Sequence, residues 1–386
     1  MKNSLKKIVI LALFSLIPTV FIWAPFFFRL ESFWTIPLPQ TGMATIVANY
    51  DGPLFLVVAK TFYSIEAIKE SFAFPLPVEY YAAHFPLYPL LIRALAFITG
   101  FPYAMLSVTL LSSVLALYFF NKFISQYVDK KHVLWMTFVF SIMPARWLIV
   151  RSVGSAEPLF IAAVIASIYY FQQKKYWAAG LWGVAAQLTK SPGILLFVAY
   201  FSYFAIPSLK VFATQSFVKW VEALNLKKTF PIFLIPLSLI GLFVFYGVRF
   251  NNFLAYFQSG DNIHLFFPPF QIFNYSQPWV GTFWLEEVIF VYLLGILGIL
   301  KLIQQKRKEL AWFVGVFFFS VLFVSHRDII RYSLPIVPFL LVAFSDTITK
   351  KEFKIAMAVI LIPIYLFSIS YISQNVMPIS DWTPFL

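Results

Sequence analysis

The chain has 386 residues, of which 61% are hydrophobic and 12% are charged, and its mean hydropathy is +0.82. Soluble proteins carry about twice that charged fraction, roughly 25%, so the composition excludes a soluble protein and predicts a polytopic membrane protein. Cysteine is absent, which excludes disulfides, thiolate catalysis and cysteine-ligated metal. The net charge of +13 is compatible with nucleic-acid binding, with anionic lipid or with membrane topology.

The first membrane span is predicted at 8–28. This segment has no charged residue and follows Lys2, Lys6 and Lys7, and about 20 apolar residues suffice to cross a bilayer. The run is too long for a signal peptide and no small-x-small cleavage site follows it, so we expect an uncleaved span with a cytoplasmic N-terminus. Ten further apolar runs lie near 103–120, 132–150, 156–172, 176–190, 192–206, 231–249, 284–303, 310–325, 332–346 and 355–373. Together they predict an all-α polytopic bundle of about 11 transmembrane helices in one domain, 1–386.

Residues 85–99 form an apolar run that we do not interpret as a span. The run is short, contains Arg93 and opens with two prolines, Pro86 and Pro89, so we expect it at the membrane surface or re-entrant on the outer side. With eleven spans, the cytoplasmic segments hold 19 of the 29 basic residues and 5 of the 16 acidic ones, a balance of +14 inside against −1 outside. A span at 85–99 would move 16 of those basic residues outside, against the positive-inside rule.

This topology leaves two large outer loops, 29–102 after the first span and 250–283 after the seventh. One helical face of the first loop is apolar and consists of Leu54, Phe55, Val57, Val58, Phe62 and Ile65. Such a segment predicts an amphipathic helix that lies flat in the membrane interface.

Two acidic residues on the predicted outer side are candidates for function, because ionisable groups are costly at membrane depth. Asp51 lies in Asn49-Tyr50-Asp51-Gly52-Pro53. From local sequence alone a turn aspartate is the simpler interpretation, since Asp-Gly and Gly-Pro both mark turns. Glu157 begins a span, where a carboxylate also favours the helix N-terminus.

Several cationic residues share this predicted side. They are His84, Arg93, Arg146, Arg151, Lys190, His326, Arg327 and Arg331. A single arginine near a span end often only extends toward lipid headgroups. A ring of cations at one membrane face would bind a phosphate or diphosphate carried on a lipid.

Other functional signals are weak. Asp261 and His264 have no companion ligands at metal spacing, and the sequence contains neither a Walker loop nor a GxGxxG motif. The lysines are spread over short loops instead of forming one basic face, so no nucleic-acid partner is expected.

Five short motifs occur in order along the predicted outer face. They are Tyr50-Asp51, Phe85-Pro86-Leu87-Tyr88-Pro89-Leu90-Leu91, Ser155-Ala156-Glu157-Pro158-Leu159-Phe160, Gln187-Leu188-Thr189-Lys190-Ser191-Pro192-Gly193 and Arg331-Tyr332-Ser333-Leu334-Pro335. In this order they resemble the GT-C fold glycosyltransferases, above all the PIG-V type mannosyltransferases and their bacterial relatives. Tyr50 stands where that family usually has Trp, and Lys190 stands where it usually has Arg. Lysine offers a point charge and not a bidentate fork, so we expect any phosphate recognition at Lys190 to differ from that of the family.

The resemblance implies a GT-C-like enzyme of the plasma membrane with its active site on the outer face. It would transfer a hexose, mannose being the first candidate, from a polyprenyl-phosphate-linked donor to a lipid, glycan or protein acceptor with inversion. The carrier chain would lie in a groove that faces membrane lipid, and neither a metal nor another cofactor is implied. The implied catalytic carboxylates are Asp51, as the general base, and Glu157. The residues implied to bind the donor phosphate are Arg331, Lys190, His84, Arg93 and Arg327. Those implied to bind the substrate are Tyr50 and Tyr88.

Two other classes of membrane protein remain open. A transporter or flippase for lipid-linked sugars would carry inverted repeats and charges near the bilayer midplane, and neither is clear in this sequence. A polymer ligase would place its large outer loop late in the chain, whereas the acidic loop here follows the first span.

Overall fold

The computed structural model describes residues 2–72, 74–224, 226–277, 280 and 285–386. In the N-terminal half the α-helices are α1 (Lys2–Phe27), α2 (Met43–Val47), α3 (Gly52–Thr61), α4 (Ile65–Ser71), α5 (Leu87–Thr99), α6 (Phe101–Ile124), α7 (Lys130–Ile142), α8 (Ala145–Val150), α9 (Glu157–Gln172) and α10 (Tyr176–Gln187). In the C-terminal half they are α11 (Ile194–Thr214), α12 (Phe217–Ala223), α13 (Leu226–Thr229), α14 (Leu234–Phe250), α15 (Glu286–Gln304), α16 (Lys308–Val321), α17 (Ile329–Ser333), α18 (Val337–Ala343), α19 (Ser345–Ile348) and α20 (Lys351–Gln374). Two short strands, β1 (Ser32–Phe33) and β2 (Ile36–Pro37), pair antiparallel.

Short 3-10 helices complete the described secondary structure. They lie at Val78–Ala83, Ser191–Gly193, Phe230–Phe233, Ala255–Gln258, Gly260–Asn262, Gln271–Phe273, Leu334–Ile336 and Thr383–Phe385. In the predicted second outer loop, 278, 279 and 281–283 lie outside the described residues, as does position 284 at the start of the next apolar run.

Five helical segments of the described chain are long and apolar enough to cross a membrane. They are Leu5–Phe27, Phe101–Ile124, Ser191–Leu209, Leu226–Phe250 and Lys351–Gln374. The predicted number of about 11 spans is therefore not confirmed. Helices α9, α10 and α16 have 16, 12 and 14 residues, and at 1.5 Å per residue they extend about 24, 18 and 21 Å, short of a hydrocarbon core of about 30 Å.

An apolar helix of this fold is not necessarily in contact with lipid. Helix α9 is apolar all round, and its residues 157–168 are all buried inside the protein. A helix surrounded by protein needs the same composition as one surrounded by lipid. The run at 132–150 is likewise divided, because α7 ends before Pro144 and α8 begins after it, and proline lacks the backbone N–H that a continuous helix needs.

The predicted flat helix in the first outer loop is wrong. Helix α3 ends at Phe62, where the backbone turns left-handed with φ 47°. The chain starts again as α4, where the Ser64 hydroxyl accepts a hydrogen bond from the Ala67 N–H. Residues 52–59 are all buried, because α5 and α6 pack against α3. The apolar face of this segment therefore contacts protein and not the membrane interface.

The run at 85–99 forms a single short helix, α5, of 13 residues. Its inner side is buried at Tyr88 and Ile92, whereas Phe97 and Ile98 near its end are 89% and 82% exposed. Thirteen residues extend about 20 Å, too short to span a bilayer, in keeping with the expected surface element.

The buried core consists of two large hydrophobic clusters. One lies among α6, α7, α9, α10, α11, α16 and α18, and the other lies among α1, α3, α5, α6, α14 and α20. Tyr50 packs against both clusters. The turn that contains Tyr50 and Asp51 therefore lies at the junction of the two.

Candidate active site

Asp51 immediately precedes helix α3 in the N-cap position, yet its side chain does not cap that helix. The turn before it is tight: Tyr50 has φ 49°, and an added Cβ at Gly52 would lie 2.3 Å from the carbonyl oxygen of Val47. Glycine is required at position 52 by this close approach. The turn frees the Asp51 carboxylate, whose Oδ2 lies 3.2 Å from Nη2 of Arg331. Asp51 is a turn residue by backbone, but its carboxylate is directed to a cation from the far end of the sequence.

Glu157 is the first residue of α9 and is buried. Its Oε1 accepts hydrogen bonds from Lys190 Nζ and from Arg331 Nε, each at 2.6 Å. Its Oε2 accepts a hydrogen bond from the Ser155 hydroxyl. A buried carboxylate is tolerated only when it is paired and hydrogen-bonded in this way, so Glu157 joins the two cations to each other.

Asp51, Glu157, Lys190 and Arg331 thus meet, and all four line one cavity of about 270 Å³. They come from the turn before α3, from α9, from the turn after α10 and from α17. Their exposure differs: the Asp51 side chain is 36% exposed and that of Lys190 30%, against 4% for Glu157. Asp51 and Lys190 are therefore the accessible members of the cluster, and Glu157 lies behind them.

The protonation state of Asp51 follows from its surroundings. Burial is the largest influence on Asp51 and raises its pKa, but the guanidinium of Arg331 and the other nearby groups, including Lys190, together outweigh burial and bring the pKa below its usual value. An opposite charge at hydrogen-bonding distance has this effect. Asp51 is consequently ionised at neutral pH and is able to accept a proton.

His84 lines the same cavity but does not act as a cation. It is buried, and burial lowers the pKa of the imidazole although the nearby Asp51 opposes the shift. Nδ1 of His84 is buried without a hydrogen-bond partner among the described residues. The expectation that His84 adds a positive charge to the site is therefore corrected to a neutral imidazole with an unused polar atom.

The second outer loop contributes Asp261 and His264, which nothing in the sequence had placed at the active site. Leu265 forms a β-bridge with Val324, which brings the His264 ring to 4.3 Å from the His326 ring, centroid to centroid. Burial, together with the neighbouring His264, lowers the pKa of His326 to about 3. His264, His326 and Asp261 all line the cavity. Their spacing in sequence gave no sign of this, because a single β-bridge has no sequence pattern.

Three predicted site residues lie elsewhere. Arg93 is exposed and donates hydrogen bonds to the backbone carbonyls of Ala59 and Lys60 at the end of α3. Arg327 is exposed and lines a separate cavity of about 400 Å³. Tyr88 is fully buried, with its hydroxyl 2.6 Å from Oγ1 of Thr109. None of the three lines the cavity that contains Asp51.

Tyr50 supports the site through its contact with Arg331. The guanidinium carbon of Arg331 lies 4.3 Å from the centre of the Tyr50 ring, a cation–π contact. The Tyr50 hydroxyl donates to Oδ2 of Asp328 and accepts from Arg146, each at 3.3 Å. Arg146 and Asp328 form an ion pair of 2.8 Å. The ring of Tyr50 is therefore occupied by Arg331, which makes it a platform for that arginine.

In the described part of the chain no three His, Asp or Glu side chains come together as a metal-binding group. The site as described consists of carboxylates, cations and neutral imidazoles.

No family model matches the sequence, and no curated protein matches it either. Among solved structures, the chain is similar to the archaeal oligosaccharyltransferase AglB from Archaeoglobus fulgidus in complex with an inhibitory peptide and a dolichol-phosphate. The TM-score is 0.53 at 15% sequence identity, over 98% of this chain. This chain spans 56% of the length of that structure.

This likeness concerns the fold. Together with the five long apolar helices, it identifies the chain as an integral membrane protein with a GT-C-like fold. It does not separate the PIG-V type from other proteins with this fold, and fold alone does not fix function.

Proposed function

We propose that this protein is a membrane glycosyltransferase of the GT-C type. Its donor would be a hexose, with mannose as the first candidate, on a polyprenyl-phosphate carrier, and its acceptor a lipid, a glycan or a protein on the outer face of the plasma membrane. Two observations support this proposal: a solved structure of similar fold contains a dolichol-phosphate and a peptide, and the cavity contains an accessible carboxylate beside two cations.

The proposal rests on the charge and the exposure of the Asp51 carboxylate. Its carboxylate is ionised and 36% exposed, and Oδ1 makes no hydrogen bond within the described residues. In the proposed reaction Asp51 takes the proton of the acceptor hydroxyl while that oxygen forms a bond to the anomeric carbon. The bond from that carbon to the phosphate oxygen breaks on the opposite face, and its electron pair leaves with the phosphate, which inverts the configuration.

Lys190 and Arg331 would bind the departing phosphate. Lys190 uses one of its three N–H donors on Glu157, which leaves two for a ligand. Arg331 uses Nε on Glu157 and Nη2 on Asp51, and its Nη1 makes no hydrogen bond within the described residues. Fixed cations that meet charge as it develops lower the barrier to transfer.

We assign Glu157 a different role from the catalytic one that the resemblance implied. Its side chain is 4% exposed and both of its oxygens are hydrogen-bonded within the protein. It is a positioning residue that holds Lys190 and Arg331 in place, and the reacting atoms would contact Asp51 alone among the two carboxylates.

The test is transfer in vitro with a panel of labelled polyprenyl-phosphate sugars. Asp51→Asn keeps the shape of the side chain and removes the base, so we expect transfer to fall about 100-fold or more while the protein stays folded and inserted in the membrane. The matched control is Asp129→Asn, because Asp129 is 77% exposed at the start of α7, and it should leave transfer unchanged.

Retained transfer in Asp51→Asn would overturn the role of Asp51. If no sugar of the panel is transferred by the wild type while liposomes containing it move a lipid-linked sugar across the bilayer, the protein is a flippase and the proposed chemistry is wrong.

A further inference from the structure

A further cavity, lined by four lysines, lies at the opposite ends of α9 and α10 from the candidate active site. Glu157 begins α9 and Lys190 follows α10, whereas this cavity is lined by the end of α9, including Gln172, and by the start of α10, including Tyr176. It has a volume of about 930 Å³. The 16 residues of α9 separate the two regions by about 24 Å. We call this region the lysine cavity, and its lining includes Lys174, Lys175, Lys227, Lys228, Trp177 and Phe230.

Two distant parts of the chain bring the lysines together. Lys174 and Lys175 form the turn between α9 and α10, in which Lys174 has φ 58°. Lys227 and Lys228 belong to α13. The 3-10 helix that follows α13 packs directly on α10, because an added Cβ at Gly180 would lie 2.2 Å from the carbonyl oxygen of Pro231. This close approach, which only glycine permits, joins the two lysine pairs around one cavity.

The lysine cavity is strongly positive. Its lining contains four lysines and one carboxylate, that of Glu309, whose Oε1 accepts a hydrogen bond of 3.0 Å from the Tyr203 hydroxyl. Within the described ranges none of the four lysines forms an ion pair. The positive-inside rule accounts for lysines in cytoplasmic loops, but it does not account for four of them meeting at one cavity.

The wall beside the lysines is aromatic and partly exposed. Trp177 is 57% exposed and Phe230 is 48% exposed, and their rings meet edge to face with centroids 5.2 Å apart. Exposed aromatic rings next to lysines are characteristic of the boundary between headgroups and acyl chains. A soluble anion would bind to the lysines but would leave the aromatic surface exposed to water.

We propose that the lysine cavity binds the headgroup of an anionic phospholipid. The lipid phosphate would lie between the pairs Lys174/Lys175 and Lys227/Lys228, and the acyl chains would lie against Trp177 and Phe230. Basic pockets between helices at a membrane face bind such headgroups. The bound lipid would connect the turn between α9 and α10 to α13. This proposal does not depend on the proposed transferase activity.

The test uses the full-length protein and native mass spectrometry. The protein is equilibrated with equal amounts of phosphatidylglycerol and phosphatidylcholine, and the ratio of the two bound lipids is measured. Replacing all four lysines, K174Q with K175Q, K227Q and K228Q, should lower the preference for phosphatidylglycerol about tenfold or more. The arginine versions of the same four substitutions should retain the preference, because they keep the charge.

The matched control removes the same charge elsewhere. Lys130, Lys131, Lys350 and Lys351 are exposed and do not line this cavity, so their replacement by glutamine should change the ratio by less than about twofold. An equal loss in the control would show non-specific attraction and overturn the proposal, as would an unchanged ratio in the test variant. If the fourfold glutamine variant does not fold, the two lysine pairs are replaced separately, and each should lower the ratio about threefold.

A second arm separates lipid from soluble phosphate. Phosphatidylglycerol should raise the melting temperature of the wild type, and inorganic phosphate at equal concentration should not. Equal protection by inorganic phosphate would mean that the aromatic wall takes no part, and the lipid assignment would be wrong.

Discussion

The substitution Glu157→Gln tests whether Glu157 holds the two cations of the cavity. Glutamine has nearly the shape of glutamate but no charge, so Lys190 and Arg331 would lose the carboxylate oxygen that each contacts at 2.6 Å. The amide oxygen of glutamine can still accept one hydrogen bond, but it does not neutralise two neighbouring positive charges. We therefore expect destabilisation together with slower transfer.

The magnitude follows from burial. Removing one partner of a buried ion pair costs about 3–5 kcal/mol, because the remaining charge is left uncompensated. The Arg331 side chain is 14% exposed, but that of Lys190 is 30% exposed and keeps part of its hydration, so we expect the lower end, about 3 kcal/mol. The entropy of unfolding is about 2.1 cal/mol/K per residue, or about 0.8 kcal/mol/K for 386 residues. The melting temperature should therefore fall by about 4 °C.

The assay is thermal melting of the purified protein in detergent, followed by the monodisperse fraction that remains. A second variant checks the reason: Lys190→Met combined with Glu157→Gln removes one of the uncompensated cations, and it should recover part of the lost stability. An unchanged melting temperature in Glu157→Gln, or no recovery in the double variant, would refute the view that Glu157 neutralises these cations.

The remaining predictions concern the platform and the pH dependence. Tyr50→Phe keeps the ring under Arg331 and loses only the hydroxyl contacts with Asp328 and Arg146, so transfer should fall less than about tenfold. Tyr50→Ala removes the ring and should raise KM for the donor. Equal effects of the two substitutions would contradict the role of Tyr50 as a platform for Arg331. Because Arg331 keeps the pKa of Asp51 below its usual value, which is about 3.9, kcat/KM should stay flat from neutral pH down to about pH 4, and a decline between pH 7 and 5 would point to another base. Lys190→Met removes a cation that lowers the pKa of Asp51, and the acid decline should move to higher pH. Since the pKa of His326 is about 3, His326→Gln should leave the pH profile between 5 and 8 unchanged.

Composition and motif order predicted the fold class and the main cluster of residues. The hydrophobic fraction predicted a helical membrane protein, and the motifs that contain Asp51, Glu157, Lys190 and Arg331 predicted residues that the structure brings to one cavity. These four residues are separated by up to 280 positions. That these residues belong to one site was predicted from the resemblance to a family, because the local sequence alone favoured a turn aspartate at position 51.

Hydropathy does not reveal whether an apolar helix contacts lipid or protein. Helices α3 and α9 are apolar, and hydropathy treats an apolar segment in the same way whether protein or lipid surrounds it. That is why the apolar face of α3 was expected on the membrane surface, and why the number of spans does not follow from hydropathy alone. Polar residues show that sequence does not reveal the surroundings of a side chain either. Arg93 hydrogen-bonds to the end of α3, and His84 is neutral because it is buried.

The sequence by itself determined that this protein is embedded in a membrane, since its surface could not be covered by 12% charged residues, and it determined which side chains are available for chemistry. Only the tertiary structure distinguished these side chains from one another. Asp51 and Glu157 are both carboxylates beside Arg331, but one is 36% exposed and the other 4%. Exposure depends on which helices enclose a residue, and that is a property of packing between segments distant in sequence. For the same reason, four lysines that the sequence distributes over two predicted cytoplasmic loops form one cavity only after Gly180 allows α10 and the segment after α13 to meet.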